Sequence, residues 1–458
     1  MEHALLFAKS FALLLEEVQS ASDMTMVRSG LLRVRRFSRS HGLTLELADD
    51  RLSVNGLQLP KPVQALQRLS LAMRHHGVAR LALGAGAVPR ELLKLAMILA
   101  SPRAKDPAAP TIFEEIRDAS LWCVQVSRAP RTVPVGTNDA IKADVTLDDE
   151  DQINNRIRVL TTEAGSALGA KDISRVAAAL ATLALVEAGV SHKDRRAQWT
   201  AGFEQAATAV ALQALVVALP TCGDAIGNAM VALIRAGDAA ADVLIEQLLK
   251  SESMDVRRAC FDALSEVRRG TAQLLKMLDH EQWFVVRNAA CLLGAFHSKP
   301  SEPELTATLA HADERVRAAV VTSLLQLDTP SSRATVRGAI RDESAEVRRR
   351  AVRGFLAEPG TLANVDKLLQ ALEREPELEV QVEFLYALGT LATPDAVQKL
   401  IRLCSVENGH RPTDFRIAAA EALASARLGA AVPMLRMMLK DPDMHARAAA
   451  RHLIRAVS

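Results

Sequence analysis

The chain has 458 residues, enough for two or three cores, and only 3% of them are aromatic. Ala, Leu, Val and Arg dominate, an alphabet that favours helices and is poor in the residues sheets prefer. The formal net charge of +2 excludes a global pull toward nucleic acid or an anionic membrane, although the charge is unevenly spread. Residues 1–130 hold 17 Lys+Arg against 12 Asp+Glu, hence +5; residues 131–250 hold 11 against 15, hence −4; the remainder holds 28 against 27, hence +1.

The first residues, MEHALLFAKSFALLLEEVQS, read as an amphipathic helix. Glu16 and Glu17 interrupt the apolar run, and no basic leader precedes it, so a signal peptide is not expected. LTLEL and RLSVNG alternate around Ala48-Asp49-Asp50 as a hairpin does. A helix (VQALQRLSLAMRHH), a short strand (ARLALG), a helix after Pro89 (ELLKLAMILA) and a last strand (LWCVQV) follow. Residues 1–126 are therefore expected to form a small α+β domain with three or four strands, able to fold alone. Residues 127–150 have two prolines, no helical period and an acidic run from Asp148 to Asp151, which predicts a mobile linker. From 151 to 221 the pattern is helical again, with Asp172 placed as an N-cap, and two or three irregular hairpins are expected.

From residue 254 one phrase returns: MDVRRACFDAL, FVVRNAACLLG, ERVRAAVVTSL, AEVRRRAVRGF, LEVQVEFLYAL, TDFRIAAAEAL and MHARAAARHLI. The column after the apolar anchor holds Arg257, Arg287, Arg317, Arg348, Gln381, Arg416 and Arg447, in steps of 30, 30, 31, 33, 35 and 31 residues. In the second copy the apolar columns fit better with Val285 as anchor, which displaces Arg287 by one place. A weaker copy, DAIGNAMVALIRAG, begins at Asp224. Apolar or small positions recur at offsets 0, +4, +7 and +8, one face of a helix, as at Val316, Val320, Ser323 and Leu324. Shorter apolar segments such as TAQLLKML and VPMLRMML lie between phrases. Each unit is then a helical hairpin that buries its apolar face only by stacking on its neighbours. The expected fold class is mainly α: an α-solenoid over 151–458, regular over 222–458, preceded by the α+β domain.

These phrases resemble HEAT repeats, in particular the short bacterial form of the phycobilin-lyase type. The N-terminal part is similar to modules of no assigned activity that precede such arrays. The resemblance implies a structural ladder of Arg257, Arg317, Arg348, Arg416 and Arg447, with Asp255, Asp313, Asp342, Asp414 and Asp441 as acceptors, broken at Gln381. It also implies binding of a partner along the groove rather than chemistry.

An iron site like that of deoxyhypusine hydroxylases needs repeated His-Glu pairs, and only His280-Glu281 forms one. Phycobilin lyases leave no spacing that can be checked. Trp283 beside Arg287 imitates the aromatic-and-basic surface of HEAT-like DNA glycosylases, but the balanced charge of the repeats argues against nucleic acid. His75-His76 and the pair His445 and His452 lack further zinc ligands, and GAGA at 84–87 lacks a phosphate-loop lysine. No catalytic, cofactor-binding or metal residue is assigned and no cofactor is expected. Five scattered cysteines without a CxxC pair fit a reducing compartment, and no apolar run reaches the roughly eighteen residues of a membrane span.

The one constellation above background is Arg341, Arg348, Arg349, Arg350 and Arg353. Arg350 and Glu383 occupy the offset +3 column, which is otherwise small (Ala259, Ala319, Ala418, Ala449). They are expected to pair across neighbouring repeats on an exposed surface, and Arg341, Arg349, Arg350 and Arg353 are the candidate partner-binding patch. The function expected is a non-catalytic protein–protein scaffold or adaptor of a bacterial cytoplasm, with self-association through the N-terminal domain. A nucleic-acid-binding solenoid or a lyase-type enzyme are the alternatives.

Overall fold

The computed structural model describes residues 2–20, 43–48, 51–59, 64–83, 89–101, 124–128, 141–356, 362–404, 411–426 and 428–457, with isolated positions between 27 and 34 and between 112 and 116. They form a helical-repeat solenoid and a small α+β region. The chain divides into two compact units, one made of Met1–Ala129 with Asp328–Ser458 and the other of Pro130–Leu327.

In the first unit, the N-terminal segment forms one antiparallel sheet of order β3-β2-β1-β4-β5. Its strands are β1 (Leu43–Ala48), β2 (Arg51–Val54), β3 (Leu57–Gln58), β4 (Val78–Leu83) and β5 (Val124–Arg128). The expected hairpin is β1–β2, with Ala48 opposite Arg51. Strand β3 is an addition, made where the left-handed Asn55 and Gly56 turn the chain back on itself. Alternation places Leu45, Leu52, Val54, Leu81 and Leu83 in the core with Phe7 and Phe11 of the helix Glu2–Gln19, Leu69 and Met73 of Gln64–His75, and Leu92 and Leu95 of Pro89–Ala100. The opposite side of the strands carries polar groups such as Arg80, paired with Glu46 at 3.4 Å.

The rest of this unit alternates connecting helices with the phrase helices Ala345–Ala351, Leu378–Leu391, Thr413–Ala426 and Met444–Val457. The first of these stops early and tightens into a 3₁₀ turn over Val352–Phe355. At Gly354 a Cβ would lie 2.8 Å from a Val336 methyl group, so only glycine lets that turn close on its neighbour. Arg353, in this turn, pairs with Glu91 of the helix Pro89–Ala100 at 2.5 Å; Glu91 is buried and the Arg353 side chain largely covered.

The second unit runs from Glu150–Gly169 to Glu314–Leu327. Asp172 caps its helix as expected, accepting from the Arg175 amide at 3.1 Å. The polar tie of Glu187, from Ile173–Gly189, to Arg235, from Ile226–Ala236, leaves no trace in the repeat pattern; it measures 2.8 Å, and Arg235 also lies over the Phe203 ring. The helices Lys193–Ala206 and Ala209–Ala218, the second of them apolar, bend by 70° at their junction and bury Trp199, Phe203, Leu212 and Leu215. Among the described residues no single helix is long and apolar enough to cross a membrane.

Two expectations need correcting. Residues 129–140 of the expected linker lie outside the described residues, but β5 runs on to Arg128, and 141–145 are helical. Asp144 is buried there and holds Arg156 at 2.9 Å. The acidic run is exposed but is the capped start of a helix: Asp149 accepts from the amides of Asp151 and Gln152, and Asp148 pairs with Arg195. The first compact unit groups the N-terminal segment with the last repeats, while the segment's apolar core is drawn from residues 4–124 alone.

Within both units the phrase helices pack in sequence order, and glycine sets the approach. A Cβ at Gly389 would meet the backbone of Ala422 at 2.6–3.0 Å, and one at Gly294 would meet Ser323 at 2.7 Å. In a free helix Gly→Ala stabilises by about 1 kcal/mol. Here Gly389→Ala should instead destabilise by about 1–3 kcal/mol, the cost of overpacking. Urea unfolding of the full chain reads the sign directly.

Candidate interaction surface along the repeats

Six of the phrase helices begin with the same local construction. Counting from the apolar anchors Val256, Val285, Val316, Val347, Val380 and Ala446, the residue five places earlier turns its side chain onto the amide three places before the anchor. Ser251 accepts from Ser253, His280 from Gln282, His311 from Asp313, Asp342 from Ser344, Glu375 from Glu377, and Asp441 from Asp443, all at 2.8–3.3 Å. This satisfies a backbone donor at the helix entry, and Ser, His, Asp and Glu do it equally because each carries a suitably placed acceptor.

The arginine one place after the anchor completes the construction. Arg317 donates to the His311 and Ala312 carbonyls, Arg348 to those of Asp342 and Glu343, and Arg447 to those of Asp441 and Pro442, at 2.7–3.0 Å. Arg257 reaches the Ser251 carbonyl and Arg416 that of Arg411. The acceptors are therefore loop carbonyls, not the aspartates the resemblance implied. Among those aspartates, Asp441 receives a ladder arginine through its carboxylate, from Arg416 of the preceding repeat at 3.0 Å. Asp313 instead holds Arg315 at 2.6 Å, and Asp342 serves as a helix-entry cap. Gln381 does not break the series either, since its amide donates to the Glu375 carbonyl at 2.6 Å.

A second pattern runs between repeats. Arg348 is gripped by both oxygens of Glu375 at 2.7 and 2.8 Å, as Arg416 is by Asp441. In both cases the cap residue of the following repeat is acidic and takes the guanidinium of the preceding one. The Glu375 hydrogen bond raises the already high pKa of Arg348. Glu375 was missed in the sequence; its signal is an acid five places before an anchor.

The candidate patch needs the main correction. Arg341 is exposed, but Arg350 is only 9% exposed, and Arg349 and Arg353 are mostly covered. Arg350 and Arg349 both reach Glu346 at 2.7 Å, and Arg353 takes Glu91. Glu383 is buried too, with Arg349 3.9 Å away. The four guanidiniums at 348–353 are thus engaged by acids of this chain, because the offset +3 column faces a packed neighbour rather than solvent. Burial works to raise the Glu346 pKa, but the charges and hydrogen bonds of Arg350 and Arg349 outweigh it and hold the carboxyl below its ordinary value.

The remaining chemistry is sparse. Burial pushes the Cys260 and Cys404 thiols up to about 12, which removes them as thiolate nucleophiles. Among the described residues no group of three or more His, Cys, Asp and Glu side chains is placed to hold a metal ion. Trp283 packs edge-to-face on Phe284, with the Arg315 guanidinium 3.4 Å and that of Arg287 5.4 Å from its ring centre. Arg287, one place off the column, makes no loop bond; Val286, buried, stands where the ladder arginine would be.

The family model for HEAT repeats matches residues 271–357 and 365–455. No curated protein sequence matches the chain. Similar solved structures include human deoxyhypusine hydroxylase (18% identity, 54% of this chain and 95% of that one, TM-score 0.24). The CpcE–CpcF complex of phycocyanin lyase from Nostoc sp. PCC7120 is similar over 50% of this chain and 93% of that one (16%, TM-score 0.27). Kap121p bound to RanGTP is similar over 98% of this chain, which spans 53% of that protein (14%, TM-score 0.44). Each is a likeness below 25% identity and below a TM-score of 0.5, and nothing about activity rests on it.

Two outcomes test this geometry. Glu375→Ala should cost about 3–5 kcal/mol, because it strips a carboxylate from a largely buried guanidinium; the urea midpoint measures it. Glu346 has a depressed folded pKa, so its stabilising contribution is complete above the ordinary value of 4.5 and is lost as pH falls through the lower folded value. Glu346→Gln should flatten that acid limb in unfolding midpoints taken across the range, while a limb of unchanged steepness would assign the effect elsewhere.

Proposed function

Since residues 271–357 and 365–455 are HEAT repeats, we propose that the chain is a non-catalytic interaction scaffold that binds a protein partner along its stacked hairpins. The observation that supports this most is the use of polar groups. Repeat after repeat, Arg, Asp, Glu and His side chains are spent on loop carbonyls, helix-entry amides and inter-repeat pairs. That arrangement fixes a surface along the stacked hairpins. An adaptor of a bacterial cytoplasm fits the short repeat and the scattered cysteines, and self-association through the N-terminal segment belongs to the same reading.

Cross-linking of the tagged full chain in its native cells, followed by nuclease treatment and mass spectrometry, tests it. A reproducible set of proteins that survives nuclease is the expected result. Recovery that collapses with nuclease would replace this reading with nucleic-acid binding, whose affinity would also fall steeply with salt.

A further inference from the structure

In the first unit two acidic caps neutralise the arginine of the repeat before them: Glu375 takes Arg348, and Asp441 takes Arg416. In the second unit the same position is held by a histidine. His280 stands where the acid for Arg257 would be, and its ring nitrogen is occupied by the Gln282 amide. Arg257 therefore bonds only the Ser251 carbonyl and the Met254 sulfur, and among the described residues no carboxylate reaches it. Asp255, expected as its acceptor, makes no bond to it. In the next repeat Arg287 is displaced off the column, bonds the Asn288 side chain at 3.0 Å and lies against Trp283, again with no carboxylate. Both arginines are half-buried, and beside them stand large exposed apolar groups, Met254 at 62% and Phe284 at 39% exposure.

From this juxtaposition we infer that the entry turns of the helices Met254–Val267 and Trp283–Ala295 form a docking surface for an acidic, apolar peptide segment of a partner protein. Its carboxylates take the place that Glu375 and Asp441 fill in the other unit. The inference rests on the scaffold reading and names the chemistry of its partner. Packed neighbouring helices lie about 8–10 Å apart, and an extended peptide advances about 3.3 Å per residue. Carboxylates two or three residues apart thus reach both guanidiniums, with an intervening apolar side chain directed at Phe284 and Met254. A polyanion is the poorer fit. Residues 131–327 carry 20 Lys+Arg against 25 Asp+Glu, hence −5, which repels a phosphate backbone while two local cations still accept a short acidic segment.

The fold supplies its own control. Gln381 holds the loop carbonyl as the arginines do, so Arg257→Gln removes the charge and keeps the tie. The experiment follows fluorescence anisotropy of a labelled peptide of repeating Glu-Leu-Glu-Phe units added to the full-length protein. Arg257→Gln combined with Arg287→Gln should weaken binding about tenfold or more, as loss of charge-assisted hydrogen bonds does. Thermal unfolding should be nearly unchanged. Arg158→Gln, at an exposed arginine of the same unit bonded to Asn155, should bind like the unaltered protein. If the double variant folds poorly, Arg257→Gln alone carries the same test. The inference is overturned if the unaltered protein ignores the peptide or binds its Gln-for-Glu version as well, or if the double variant binds normally. It is equally overturned if a labelled single-stranded oligonucleotide binds more tightly than the peptide. A stable partner set in the cross-linking experiment that survives both substitutions would leave the scaffold standing and remove this surface from it.

Discussion

The tie between an arginine in the first turn of a phrase helix and the carbonyls five and six residues behind it is the constraint on which the repeats depend. A chain reversal between two helices leaves carbonyls and amides exposed at the point where the second helix must start at a fixed angle. The guanidinium, planar and multiply donating, collects those carbonyls, while the cap side chain takes the facing amide. The reversal is thereby closed by side chains of its own repeat. Stacking then needs only apolar faces that match, with glycine or small residues where two helices touch most closely.

Much of this was legible because a helix converts spacing into geometry. The anchors, the hairpin β1–β2 and the Asp172 cap all follow from periods and cap chemistry, and they are found where those rules place them. The direction of the arginines was not legible. The sequence shows that Arg and Asp recur together, but it does not say whether a guanidinium meets a carboxylate or the carbonyl beside it. Glu375 escaped for a related reason: it lies outside the phrase, and its role appears only when one repeat is set upon the next. The cluster at 348–353 was misread through its charge. Five arginines in thirteen residues suggest an exposed patch, whereas the acids that neutralise four of them come from their own helix, from Glu375 and from the distant Glu91.

The two units use one framework in two electrostatic styles. At Glu375 and Asp441, one carboxylate both starts a helix and gathers a charge from its neighbour, joining consecutive repeats. Where the cap is His or Ser, the helix starts as well but the preceding charge is left to other partners. A substitution at a single column thus alters what the surface offers without touching the apolar core.

The buried pair of Glu91 and Arg353 also has a consequence for how the chain is made. The repeat ties span five or six residues and close as soon as the local segment leaves the ribosome, with little loop entropy to overcome. Glu91 waits much longer, since the whole of 130–327 is synthesised before its partner exists. The apolar core of the N-terminal segment is drawn from its own residues and can close during translation, whereas the pair with Arg353 forms only after 130–327 has been made.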